Sequence, residues 1–116
     1  FMASTKTMRA IDRLRKAANL EATKREVTLF DGTVFEMWVT PLTLAEKERA
    51  QKLSKSDNEN EFALRLLMTK AKDENGEPLF NIGEIDVLKN EIRDSDLQKI
   101  ILSAITETEE PIDPKD

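Results

Sequence analysis

The sequence predicts a mainly α single compact domain that carries one small β-hairpin, an α+β arrangement. Apolar residues recur at helical spacing in several segments, and residues 26–39 have the composition of two strands around Asp31-Gly32. The chain of 116 residues allows one modest core. Because aromatic residues make up only 5% of the chain, we expect that core to consist mainly of Leu, Ile, Val and Met.

Residues 1–25 are predicted to form a basic N-terminal helical arm. Met8, Ile11, Leu14 and Ala18 fall at helical spacing between residues 6 and 20. The segment carries seven basic and two acidic residues, a net charge of +5, whereas the rest of the chain is at −10. A helix with so narrow an apolar stripe is only marginally stable in isolation. We therefore expect the arm to dock on a neighbouring copy through Met8, Ile11 and Leu14 and to promote self-association.

The hairpin is predicted from two strand-like runs, 26–30 and 33–39. Asp-Gly between such runs favours a type I′ turn, in which both central residues have positive φ. In the simplest register, one face carries Thr28, Phe30, Phe35 and Met37, and the other carries Val27, Leu29, Val34 and Trp38. Since both faces are apolar, Trp38 is either a core residue or the anchor of a protein interface. We take Trp38 and Val34 as candidate binding residues.

Helices are predicted for the remainder of a body that spans residues 26–106. Thr43 and Glu46 form a capping box at the start of a charged helix that ends near Leu53. Residues 59–72 have the widest apolar face and predict the most buried helix. Two shorter helices follow, over 84–93 and 95–106, and Ser95 with Gln98 is a second candidate capping box. Residues 107–116 combine acids and prolines without an apolar period, which predicts a disordered acidic tail.

No catalytic or metal-binding constellation is evident in the sequence. The chain contains no cysteine, histidine or tyrosine, which removes disulfides, thiol nucleophiles and the commonest general base and metal ligand. Residues 73–84 resemble a calcium loop at several positions, but Pro78 stands where that loop requires glycine. We therefore expect a protein that is not an enzyme and that has no catalytic residue, no metal site and no cofactor.

Charge and hydropathy also limit the classes of partner. No apolar run is long enough to span a bilayer, so no membrane partner is expected. The basic arm is able to contact nucleic acid phosphates, but the rest of the chain is strongly acidic and no aromatic residues are interleaved with the basic ones. We therefore expect protein partners and not nucleic acid.

The order of segments over residues 26–106 resembles the tail assembly chaperones of long-tailed bacteriophages. The resemblance is carried by the strand, Asp-Gly, strand unit, by Pro41-Leu42-Thr43 at the start of a charged helix, and by the acidic turn from Asp73 to Phe80. The basic arm has no counterpart in it. The resemblance implies a self-associating protein that binds the tape measure protein and tail tube subunits in the host cell cytoplasm during phage assembly. It also implies absence from the mature virion.

Two other functions stay open on the sequence. One is a nucleic-acid-associated regulatory protein that uses the basic N-terminal helix, and the other is a small structural adaptor protein of the virion. A regulator should bind nucleic acid with a steep salt dependence, whereas an adaptor should persist in purified particles.

Overall fold

A computed structural model describes residues 9–54 and 58–107. This part of the chain forms five α-helices, a short 3-10 helix and a two-stranded antiparallel sheet. In chain order they are α1 (Ala10–Ala18), β1 (Thr23–Thr28), β2 (Val34–Val39), α2 (Leu44–Leu53), α3 (Glu59–Lys70), the 3-10 helix (Ile82–Glu84), α4 (Ile85–Glu91) and α5 (Asp94–Ile105). The predicted class, mainly α with one β-hairpin in a single domain, is confirmed.

The core lies between α3, α5 and one face of the hairpin. Met37 and Val39 alternate with Glu36 and Trp38 along β2, and only the first pair is buried. The helices contribute aliphatic side chains from their facing sides, and the buried cluster includes Leu64, Leu67, Leu97, Ile100 and Ile101. As predicted from its wide apolar face, α3 is largely buried, and α5 contributes four residues to the same buried cluster.

The hairpin is present, but its turn differs from the prediction. The N–H of Gly32 donates to the carbonyl of Leu29 at 2.9 Å, and the N–H of Leu29 donates to the carbonyl of Thr33 at 2.8 Å. Gly32 has a φ of 89°, whereas Asp31 has no positive φ. The predicted type I′ turn is therefore wrong. The loop has three residues and matches a tight turn that is followed by a positive-φ glycine.

The additional loop residue changes which side of β1 faces the core. Val27 pairs with Phe35, and Thr28 pairs with Val34. Because a shift of one residue moves every side chain of a strand to the opposite face, the predicted faces are wrong for β1. Val27 is buried on the inner face. The outer face carries Val34 and Trp38 together, as expected, but with Thr28 in place of Val27.

The acidic turn extends the sheet on the other edge of β2. The N–H of Trp38 donates to the carbonyl of Lys72 at 2.8 Å, and the N–H of Lys72 donates back at 3.1 Å. The carboxylate of Asp73 then accepts hydrogen bonds from the N–H groups of Asn75 at 2.8 Å and Glu77 at 3.0 Å. This segment of the calcium-like sequence is thus a closed turn that Asp73 stabilises.

One of the two predicted capping boxes is confirmed. The N–H of Thr43 donates to Oε1 of Glu46 at 3.0 Å, and the N–H of Glu46 donates to Oγ1 of Thr43 at 3.3 Å. The predicted box of Ser95 and Gln98 is wrong, because α5 begins at Asp94 and its N-cap, Arg93, makes no side-chain cap.

Acidic side chains take the place of a capping box at the start of α5. Asp94 and Asp96 lie in its first turn, where the positive end of the helix dipole favours carboxylates. A second box, not predicted, joins Asn81 and Glu84 at the 3-10 helix.

Helix α1 contributes no buried residue to the core. Its residues are exposed or half-buried, and the helix ends at Ala18, before the C-cap residue Asn19, which has a φ of 43°. β1 begins at Thr23, so the sheet starts inside the segment that was assigned to the arm. Met8 and the predicted tail beyond Glu107 lie outside the described residues. Within 9–54 and 58–107, no helix has the length and apolar character needed to cross a membrane.

Candidate protein-binding site

Three polar contacts hold the hairpin along α5. At one end, Nη1 of Arg25 donates to the carbonyls of Ser103 and of Thr106, the latter at 2.8 Å. In the middle, Nζ of Lys99 donates to the carbonyl of Thr28 at 3.2 Å. The third contact joins Asp96 to the loop at the tip of the hairpin. Because the contacts are spread along the strand, the position of that loop is set relative to α5.

Asp96 is the polar group that fixes the hairpin tip. Its side chain is buried, and its two oxygens lie 3.0 and 3.3 Å from the backbone nitrogen of Phe30. The N–H of Phe30 therefore donates to a carboxylate, a charge-assisted hydrogen bond. The backbone of Phe30 is held against α5 by this bond, while its side chain stays 66% exposed.

The Phe30 ring also has a cationic neighbour. The guanidinium carbon of Arg93 lies 3.4 Å from the ring centroid, which is a cation–π contact. On the other side of the loop, Oδ1 of Asp31 accepts hydrogen bonds from the N–H and the hydroxyl of Thr33 at 3.0 and 2.7 Å. The backbone hydrogen bond and then the hydroxyl lower the pKa of Asp31. The exposed ring is therefore presented on an ordered, charged loop.

An apolar groove opens beside this loop, between the hairpin, α4 and α5. We call it the tip groove, and its apolar lining consists of Leu29, Phe30, Phe35, Phe80, Leu88, Ile92 and Ile100. Its volume is about 390 Å³. The rings of Phe35 and Phe80 are stacked with centroids 6.1 Å apart. Asp31, Glu91, Arg93 and Asp96 supply the charged part of the lining, so the groove combines an apolar floor with charged groups.

The outer face of the hairpin is a less apolar surface. Val34 is exposed and Trp38 is half-buried, but Glu36 stands between them on the same face. Nζ of Lys24 lies 3.3 Å from Oε2 of Glu36, and the hydrogen bond to Glu36 raises the pKa of Lys24. The two predicted binding residues therefore share a face, but an ion pair separates them.

The arm presents a third apolar surface. Ile11 and Leu14 are 46% and 66% exposed, although they form the predicted apolar stripe of α1. The end of α1 lies beside Thr23 and Pro41, at the end of the sheet opposite to the hairpin tip. The predicted site residues are thus distributed over two separate elements, the arm and the outer face of the hairpin.

Sequence reasoning did not identify the tip groove. Its lining comes from positions near 30, 80 and 90, and no local pattern relates these segments. One signal was available, since Phe30 precedes Asp31-Gly32 at a hairpin tip and a ring at that position is difficult to cover. Within residues 9–54 and 58–107, no group of three or more Asp and Glu side chains is arranged so that it could hold a metal ion.

The geometry therefore supports binding of apolar side chains at the tip groove. Comparisons of this chain with protein-family models, with curated proteins and with solved structures found no match.

Proposed function

We propose that this chain is a tail assembly chaperone of a long-tailed bacteriophage and that it binds the tape measure protein through the tip groove. The observation that carries the proposal is the open apolar groove beside Phe30, whose side chain is exposed while its backbone N–H donates to Asp96. A groove with an apolar floor and charged edges accepts the apolar face of an amphipathic helix.

The resemblance over residues 26–106 names the partners in this proposal. It implies binding to the tape measure protein and to tail tube subunits in the host cell cytoplasm, with release before the virion is complete. Such a role requires reversible contact with a client and no covalent chemistry. The apolar lining and exposed rim of the tip groove are suited to such contact.

The size of the groove favours many weak contacts over one strong contact. Burying one large apolar side chain contributes roughly 1.5–3 kcal/mol. Two such side chains therefore contribute roughly 3–6 kcal/mol, much of which offsets the cost of association. A long helical client offers many equivalent segments, and copies that also contact one another bind it with avidity. Weak single sites are also compatible with release when tube subunits arrive.

The proposal is tested by co-expression with the tape measure protein of the phage that encodes this chain. The wild-type chain should keep the tape measure protein soluble and should co-purify with it. Phe30→Ser should reduce the co-purified amount at least tenfold, because it removes the exposed ring of the groove. Leu102→Ser is the matched control, since Leu102 is 60% exposed but does not line the groove.

Two results would count against the proposal in different ways. If the wild-type chain leaves the tape measure protein insoluble, the chaperone function is wrong. If Phe30→Ser and Leu102→Ser both retain the client, the function stands but the tip groove is not the client site.

The exposed basic residues of α1 favour one rival function. Arg13, Arg15 and Lys16 are exposed, so the arm is able to contact phosphates. Binding of a DNA duplex at physiological salt, weakening steeply as salt increases, would support a nucleic-acid-associated regulator. A virion adaptor would instead be detected by mass spectrometry in purified particles.

A further inference from the structure

We infer that α1 of one copy docks in the tip groove of a second copy, so that the groove is a site of self-association as well as of client binding. The inference concerns two surfaces of this chain and does not require the chaperone function. One surface is the exposed apolar stripe of α1, and the other is the open apolar groove.

The size of the stripe matches the size of the groove. A cavity of about 150 Å³ accommodates an object as large as a benzene ring. The tip groove, at about 390 Å³, therefore has room for roughly two large side chains. Ile11 and Leu14 are the two large apolar residues of α1, and they lie about one turn apart on the same face.

The charges of the two surfaces are complementary. Residues 9–18 carry four basic residues against one acidic residue, Asp12. At the rim of the groove, Asp31 and Glu91 are exposed carboxylates, and Arg93, which is stacked on Phe30, supplies one guanidinium. The third carboxylate of the lining, Asp96, is buried and accepts the N–H of Phe30. A basic helix is therefore attracted to this acidic rim.

The length of the connection favours a second copy over the arm's own groove. From Thr23 back to Leu14 the chain spans at most ~23 Å, with ~17 Å from the connecting residues and ~6 Å from the helix. From Thr23 forward to Phe30 the strand also covers ~23 Å. The arm would reach its own groove only with every connecting residue fully extended, whereas a neighbouring copy imposes no such condition.

Docking of the arm has a consequence for client binding. Each copy carries one arm and one groove, so two copies can exchange arms in a closed dimer, or several copies can form an open chain. In either arrangement the arm and the client compete for the same groove. A client that presents many apolar segments displaces the arm, so self-association protects the apolar groove until the client is available.

The test uses the full chain and two complementary variants. Leu14→Asp damages the arm and leaves the groove intact, whereas Phe30→Lys places a charge in the groove that repels the basic arm. By sedimentation velocity, the wild-type chain should be a dimer or larger. Each variant should be monomeric, with a dissociation constant raised at least tenfold. An equal mixture should recover a 1:1 dimer, because it contains one intact arm and one intact groove.

A control and a cross-link complete the test. Leu102→Asp changes a leucine of similar exposure outside the groove and should leave the mass unchanged. Because the chain has no cysteine, Leu14→Cys and Glu91→Cys chains can be mixed and oxidised, and a disulfide-linked heterodimer is expected. Leu14→Cys mixed with Leu102→Cys should give much less of it.

Several results would overturn the inference. A wild-type chain that is monomeric at all concentrations would do so, as would single variants with the wild-type mass or a mixture that stays monomeric. A Leu14→Cys/Glu91→Cys double variant that cross-links only within one chain would show that the arm occupies its own groove. In a Phe30 variant, loss of client binding without loss of self-association would contradict this inference alone, and loss of self-association without loss of client binding would contradict the proposed client site alone.

Discussion

Nζ of Lys70 lies 2.7 Å from Oε1 of Glu46, and Lys70 is only 1% exposed. The ammonium also donates to Oγ1 of Thr40 at 2.8 Å and to the carbonyl of Pro41 at 3.2 Å. The pair joins the last turn of α3 to the first turn of α2. It therefore determines how the chain leaves β2 and enters the helices.

The two partners of this pair should respond differently to substitution. Glu46→Ala leaves a buried ammonium without its carboxylate and removes the capping box, so we expect a loss of about 3 kcal/mol in the free energy of unfolding. Lys70→Met should cost less, about 1–2 kcal/mol, since Glu46 is partly exposed and keeps its bond from Thr43. Urea denaturation measures both, and Glu48→Ala on the exposed side of α2 is the control. A larger loss of unfolding free energy for Lys70→Met than for Glu46→Ala would contradict this account of the pair.

The same pair makes stability depend on pH in the acidic range. Burial raises the pKa of Glu46, but the hydrogen bonds from Lys70 and Thr43 outweigh burial, and the pKa lies below its ordinary value of 4.5. The carboxylate of Glu46 therefore binds a proton more readily in the unfolded chain than in the folded one. The stability that Glu46 contributes is complete well above pH 4.5 and is lost as pH falls through the pKa of the folded state. The difference in unfolding free energy between wild type and Glu46→Gln should shrink on acidification. A constant difference would contradict this account.

The helices were predictable because their signals are local. The spacing of Leu64, Leu67 and Ala71 already indicates one buried face, and the capping box of Thr43 is contained within four residues. The face of β1 was not predictable, because it depends on whether the loop has two or three residues. One additional loop residue moved Val27 from the outer face to the core.

The tip groove could not be predicted from local patterns. Phe30, Phe80 and Ile92 meet only after the hairpin, α4 and α5 have packed. The buried carboxylate of Asp96 resembles an ordinary acid in the first turn of a helix, where negative charge is favoured in any case. Its bond to the N–H of Phe30 depends on the tertiary structure.

The turn of the hairpin should require glycine at position 32. Its φ of 89° is unfavourable for a residue with a Cβ, although no atom lies within 4 Å of an added Cβ. Gly32→Ala should therefore destabilise the chain by about 1–2 kcal/mol through backbone strain alone. Gly83→Ala is the control, because its added Cβ would lie 3.4 Å from Oδ1 of Asn81 without a positive φ. Equal melting temperatures for the two variants would contradict the turn assignment.

Trp38 provides a test of the outer face of the hairpin as a client surface. If this half-buried ring is an interface anchor, Trp38→Ala should weaken binding of the tape measure protein by on the order of 2 kcal/mol. The backbone pairing of Trp38 with Lys72 does not involve the side chain, so the sheet should persist, which circular dichroism can verify. A variant that unfolds would identify Trp38 as a core residue. A folded variant with unchanged affinity would show that Trp38 does not bind the client, and the tip groove would remain as the candidate site.

Removal of the arm should separate folding from assembly. Because no residue of α1 is buried, a chain that starts at Thr23 should keep its free energy of unfolding within about 0.5 kcal/mol of the full chain. Self-association, measured by light scattering, should be lost in the shortened chain. In the full chain, self-association should weaken as the salt concentration rises, because salt screens the attraction between the basic helix and the acidic groove.

The shortened chain also distinguishes the remaining alternatives for the arm. If both chains have the same mass at every concentration and salt, α1 has no role in assembly. If only the full chain shifts a DNA duplex at physiological salt, the arm acts on phosphates and the regulatory function is favoured. A fall of several degrees in the melting temperature would instead show that α1 packs on its own body, because about 1 kcal/mol gives a shift of that size in a domain of this length.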